Sequence, residues 1–158
     1  MVSKIGMWFF VEYVPVQRVL KNCLVGTIET KLINVDKNVS LKMVIDNLLP
    51  AIKEKWPMWA HKKAIVQMHN ALAHKKMNKN TQINAKLEEM AVRGWAIDFV
   101  LQPPIFPDTN IKDLALFRVI QSLQFTKPLK EIDELIENAT QAFLEYPMDL
   151  CKKVWTTA

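Results

Sequence analysis

Two residues that could do metal or acid–base chemistry each follow a short apolar run in this chain of 158 residues. His69 comes directly after the run 64–68, AIVQM, and Asp108 comes after the run 95–101 and a pair of prolines. Apolar runs of this length predict buried strands. Because ligands gather at the carboxyl ends of parallel strands, His69 and Asp108 side by side would form a metal site or an acid–base pair.

Each candidate also has a purely structural interpretation. Asp108 precedes a helical pattern and is a good helix N-cap, while His69 can be an ordinary polar residue at a strand end. Asp98 lies in the middle of the second run, where a solvent-facing or edge position is expected. One acid and one imidazole do not make a complete catalytic site. The helices and strands around them decide whether they are brought together.

A helix is predicted between the two runs, N-capped by Thr81 and ending near Gly94. Its apolar residues are Ile83, Leu87, Met90 and Ala91. Strand, helix and strand in this order predict a right-handed crossover, with segment 64–68 parallel to segment 95–101.

Upstream, the aromatic and β-branched segment 4–14 and the alternating segment 27–35 predict an antiparallel hairpin with a long loop. Ser40 is the expected N-cap of a helix that runs to about Lys55, with a kink or break near Leu49 caused by Pro50. Further helices are predicted over 111–123, from Pro128 to an end at Tyr146 and Pro147, and over 148–155. The fold class is therefore α/β, in one domain spanning 1–158, with four to five helices.

Charge divides the chain unevenly around its formal net value of +5. Residues 1–80 hold 13 Lys and Arg against 5 Asp and Glu, whereas residues 81–158 hold 8 against 11. The basic half predicts either weak polyanion binding or a solvated surface, and the candidate nucleic-acid contacts are Lys62, Lys63, Lys75 and Lys76. Cys23 and Cys151 form neither a disulfide framework nor a zinc motif, which predicts an intracellular protein. The apolar run 5–11 is too short to span a membrane.

Several stretches resemble mariner-like transposases of the plant and oomycete type, within the ribonuclease-H-like DDE superfamily. KIGMWFFV is similar to the family's KIGIWPFV, and LPAIKEKWP is nearly unaltered. IVQMHNALAH resembles IxIQQDNAxxH, and QPPIFPDTNIKDLALFRVIQSLQ resembles QPPNSPDxNxLDLGfFxxIQSLQ. The last two are the blocks that hold the second and third catalytic acids.

The resemblance implies a family mechanism in which three carboxylates hold two Mg²⁺ or Mn²⁺ ions for DNA cleavage and strand transfer. The third acid corresponds to Asp108, the second position holds His69, and the first acid has no counterpart. Asn70, His74 and Asp113 match neighbouring motif positions. A neutral imidazole favours zinc-like metals over Mg²⁺, so we expect no bound metal and no transposition by this chain.

The resemblance also implies a partial ribonuclease-H-like fold that lacks the first catalytic strand and the upstream helix-turn-helix DNA-binding domain. Without that strand, the hairpin and the parallel pair lose their common neighbour, and exposed edges predict self-association. The family's location is the nucleus and its partner is DNA. No small-molecule substrate is indicated.

Three hypotheses follow. The first is an inactive transposase-derived remnant with weak non-specific nucleic-acid binding. The second is a repurposed metal-dependent nuclease or hydrolase that uses His69 and Asp108, with Asp98 as a further candidate. The third is a domesticated protein-interaction module that binds through the helices at 111–144.

Overall fold

A computed structural model describes residues 4–17, 25–69, 77–102 and 131–147. Its strands are β1 (Val11–Pro15), β2 (Ile28–Leu32), β3 (Lys63–Met68) and β4 (Ala96–Leu101). Its helices are α1 (Lys37–Met43), α2 (Leu49–Lys55), α3 (Thr81–Ala91) and α4 (Ile132–Glu145), with a π-helical turn over Val44–Leu48 and a 3₁₀ turn over Met77–Lys79.

The predicted hairpin is present, but its strands are shorter than the sequence pattern suggested. β1 pairs antiparallel with β2 from Val11 opposite Leu32 to Pro15 opposite Ile28. Residues 4–10 are not a strand, although the Ile33 amide still donates to the Phe10 carbonyl at 3.0 Å. Pro15 is the last residue of β1, a position that tolerates a missing amide donor.

The first long helix begins earlier than predicted, and Ser40 is not its N-cap. Asp36 takes that role, since its Oδ1 accepts hydrogen bonds of 2.8 Å from the amides of Asn38 and Val39. A carboxylate with extended backbone directly before the first turn satisfies amides that lack helical partners. Ser40 is a buried residue one turn into α1.

Pro50 neither breaks the helix nor ends it. The backbone runs from α1 into α2 through the π turn, where the Leu49 amide donates to the Val44 carbonyl. Pro50 lacks an amide donor and sits in the first turn of α2, where none is needed. The predicted irregularity near Leu49 is present as a π turn over Val44–Leu48 and not as a break, because a single widened turn accommodates the ring.

β3 and β4 form the predicted parallel pair, joined through α3. The register places Lys63 opposite Ala96 and Met68 opposite Leu101. The N-cap of α3 is Asn80 rather than Thr81, because the Asn80 side chain accepts from the amides of Gln82 and Ile83. Gly94, with φ of +83°, reverses the chain after α3 and directs it into β4.

The core lies between one face of this parallel pair and the helices α1, α2 and α3. It consists of the following buried residues: Val44, Leu49, Ile52, Ala64, Met77, Ile83, Met90, Trp95, Ile97 and Phe99. Alternation along the strands directs Ala64, Ile97 and Phe99 inward. Ile65, Asp98 and Val100 face the other way and are exposed.

α4 makes two polar connections, one to the hairpin and one to the segment that precedes β1. Thr30 is the buried residue of β2, and its hydroxyl donates to Asp133 Oδ1 at 2.5 Å. At the other end of α4, the Lys4 ammonium donates to the carbonyls of Phe143 and Leu144. A cation there satisfies carbonyls that end the helix and complements its dipole.

The architecture is mixed α/β, as predicted, with a small antiparallel hairpin, a parallel strand pair and helices. The hairpin and the pair are separate two-stranded sheets within the described residues. Counting 37–55 as one continuous helix, the described residues hold three of the four to five predicted helices. The helices predicted over 111–123 and 148–155 lie outside the described residues, as do Cys23 and Cys151.

Candidate functional site

His69 stands where the sequence placed it, immediately after the carboxyl end of β3. It is exposed, and the ladder beside it extends by one hydrogen bond of 2.7 Å from the Gln102 amide to the Met68 carbonyl. Gln102 therefore marks the adjacent end of β4. Both strand ends open on the same edge of the sheet because the pair is parallel.

Asp98 does not join His69 at that edge. Asp98 lies opposite Ile65 in the ladder, four residues before His69. At about 3.3 Å per strand residue, Asp98 and His69 are separated by roughly 13 Å along the strand direction. This distance is too large for both side chains to bind one metal ion. Asp98 is exposed in mid-strand, which confirms the solvent-facing position predicted for it.

The remaining motif residues, Asn70, His74, Asp108 and Asp113, lie outside the described residues. The candidate pair of His69 and Asp108 therefore stays a prediction. Within the described ranges, no group of three or more His, Cys, Asp and Glu side chains is arranged to hold a metal ion.

Lys62 and Lys63 lie at the opposite end of β3 from His69, and both are exposed. The Lys62 ammonium donates to the Arg93 carbonyl at 3.2 Å and lies 6.0 Å from the centre of the Trp95 ring. Lys62 thus ties the start of β3 to the turn before β4. Lys75 and Lys76, the other two predicted contacts, lie outside the described residues.

An open groove of about 630 Å³ separates α1 and the π turn from α3. Leu41, Ile45 and Ala85 contribute apolar surface to it. Lys86 and Glu89 on its α3 side are already paired at 2.6 Å, and this hydrogen-bonded cation lowers the pKa of Glu89. The charged side chains on the α3 side of the groove therefore neutralise each other, and they do not form a set of free charges that could bind a ligand.

An exposed aromatic turn precedes β3, and the sequence patterns did not single it out. The Ala60 amide donates to the Pro57 carbonyl at 3.0 Å, which closes a turn with Met58 and Trp59 at its tip. Met58 is fully exposed and Trp59 is 73% exposed. The available signal was a Trp-Pro-Met-Trp segment between pairs of lysines.

No protein-family model matches the chain, and no curated protein or solved structure matches it. The transposase resemblance therefore rests on the sequence blocks alone. Within the part of the chain that the structure describes, no helix has the length and apolar character needed to cross a bilayer.

Proposed function

We propose that this chain derives from a mariner-like transposase catalytic domain, lacks DDE catalysis and retains weak, non-specific affinity for nucleic acid. The supporting observation is the exposed imidazole of His69 at the carboxyl end of β3, in the position where the resembling motif has its second carboxylate. The parallel pair with an α3 crossover supports the proposal further, because a ribonuclease-H-like domain delivers its acids from such strand ends.

The chemistry of the candidate site supports inactivity. Two-metal phosphoryl transfer needs several anionic oxygen ligands to neutralise and position the ions. An imidazole supplies a neutral nitrogen, and Asp98 is too distant in the ladder to replace the lost carboxylate. Asp108 would remain as one carboxylate with a capping role at the start of the following helix.

A cleavage assay tests the loss of activity. Supercoiled DNA incubated with the full chain and Mg²⁺ or Mn²⁺ should show no metal-dependent nicking above a buffer control. Metal-dependent cleavage that disappears in Asp108→Asn would overturn the proposal.

The alternative of a repurposed hydrolase predicts a measurable metal site. Calorimetric titration with Zn²⁺ and Mg²⁺ therefore distinguishes the hydrolase from the inactive remnant. We expect no tight binding. Saturable Zn²⁺ binding that is lost in both His69→Ala and Asp108→Asn, but kept in His61→Ala, would favour the hydrolase. His61 is a matched control because it is also exposed but lies at the other end of β3.

The third hypothesis, a protein-interaction module, concerns helices of which α4 alone is described. α4 is already engaged by Thr30 and Lys4. No described contact favours a partner protein on it.

A further inference from the structure

We propose that the turn over residues 57–60, with the lysines on either side of it, is a contact site for single-stranded nucleic acid. Trp59 would stack on one unpaired base, while Lys55 and Lys63 would contact the neighbouring phosphates. The inference deepens the proposed nucleic-acid affinity and rests on it. It places that contact at the amino end of β3, about 20 Å along the strand from His69.

The turn that carries Trp59 is held in place by contacts of the neighbouring Trp56. Trp56 Nε1 donates to the His61 carbonyl across the turn at 3.0 Å. The Trp56 ring meets the Trp95 ring edge-on, with centroids 5.6 Å apart. Because Trp56 packs against the core while Trp59 remains outside, the turn is held at its base and exposed at its tip.

Trp59 itself has no competing interaction in the described part of the chain. No ring, cation or hydrogen-bond acceptor engages its indole there. An exposed indole face is costly to leave in water, and stacking on a base removes much of that face from solvent. Every base offers such a face, so the contact would not depend on sequence.

The charge around the turn has the sign that a phosphate chain requires. Residues 53–63 hold four lysines, at 53, 55, 62 and 63, against the single acid Glu54. All four lysines are exposed, two at the end of α2 and two at the start of β3. Aromatic residues between basic ones are the usual composition of surfaces that bind single strands.

An anionic membrane is the main rival partner, because Met58 and Trp59 could also enter a lipid surface. One thioether and one indole form a small apolar area, and stable anchoring to a bilayer takes more than one such signal. One exposed indole is sufficient to stack one base. The small apolar area of the turn therefore favours nucleic acid over a membrane as its partner.

The test is fluorescence anisotropy of a labelled oligothymidine of about 20 nucleotides with the full chain. Trp59→Ala should weaken binding roughly 5- to 150-fold, the range expected for one stacked base, and Trp59→Phe should restore part of the loss. Tyr13→Ala is the matched control, since Tyr13 is another exposed aromatic residue, on the hairpin, and its loss should leave binding unchanged.

A second measurement reports the phosphate contacts. Between about 50 and 200 mM salt, the double variant Lys55→Ala with Lys63→Ala should reduce the salt slope of log K by about 1.4, or about 0.7 per lost contact. The control Lys37→Ala with Lys42→Ala removes the same charge from the exposed surface of α1 and should leave the slope unchanged.

The outcomes separate this inference from the proposed function. If the wild type binds the oligonucleotide and Trp59→Ala binds it equally well, the turn is not the contact and the proposed function survives. If the wild type does not bind at about 50 mM salt, the inference and the proposed nucleic-acid affinity both fail. Binding to vesicles with about one third phosphatidylserine, without oligonucleotide binding, would assign the turn to membranes and overturn the inference.

Discussion

A single carboxylate determines where α1 begins. Asp36 Oδ1 satisfies two amides of α1, whereas the buried hydroxyl of Ser40 has no hydrogen-bond partner in the described part of the chain. The two residues differ because an N-cap must lie outside the helix with extended backbone, and Ser40 lies inside it.

We therefore predict different effects on stability for two alanine substitutions. Asp36→Ala should lower the free energy of unfolding by about 1 kcal/mol, the usual cost of losing a side-chain cap. Ser40→Ala should leave it unchanged or raise it, because the substitution removes a desolvated hydroxyl. Urea unfolding followed by circular dichroism measures both. A loss in Ser40→Ala as large as that in Asp36→Ala would contradict the assignment.

At the scale of elements, Gly94 controls the passage from α3 into β4. Its backbone has φ of +83°, and a Cβ added there would meet no atom within 4 Å. Any cost of a side chain at this position is therefore conformational and not steric against neighbouring residues.

Gly94→Ala should destabilise the fold by roughly 1–2 kcal/mol, because the Cβ of alanine makes the left-handed backbone conformation unfavourable. Gly94→Asn should lose less, since asparagine visits this conformation more readily. Thermal unfolding of the two variants under the same conditions gives the comparison. Equal stability of Gly94→Ala and wild type would mean that the turn adopts another backbone conformation.

The elements also show why local patterns predicted some features and missed others. The parallel pair was predictable because β3 and β4 are bounded apolar runs on either side of a helical period. The π turn before Pro50 was not, because a proline can break a helix, kink it or begin a new turn, and only the packing of Leu49 and Ile52 into the core selects among these outcomes.

At the scale of the whole molecule, each sheet has two strands within the described residues, so each of these strands has one edge that no other described strand covers. Unpaired edges with apolar side chains favour association between copies. On β2, Ile28 and Leu32 are both largely exposed. The self-association expected from the sequence remains a prediction, and this edge is where we expect it.

Sedimentation velocity over a range of concentrations tests that prediction. The wild type should show concentration-dependent association, and Leu32→Lys should shift the population towards monomer, since a lysine on an edge opposes strand pairing. Val92→Lys is the control, because Val92 is also exposed but lies in the turn after α3. Association that is unchanged in Leu32→Lys would exclude the β2 edge.

The sequence by itself determined the α/β class, the hairpin, the parallel pair and the position of His69 at the end of β3, because strand length, helical period and the order strand–helix–strand can all be read from short stretches of sequence. Tertiary structure alone decided which side chains are covered. It buried Thr30 under α4 while leaving Ile28 exposed, and it exposed Trp59 while packing Trp56 against the core. Burial depends on neighbours distant in the chain, and no local pattern contains them.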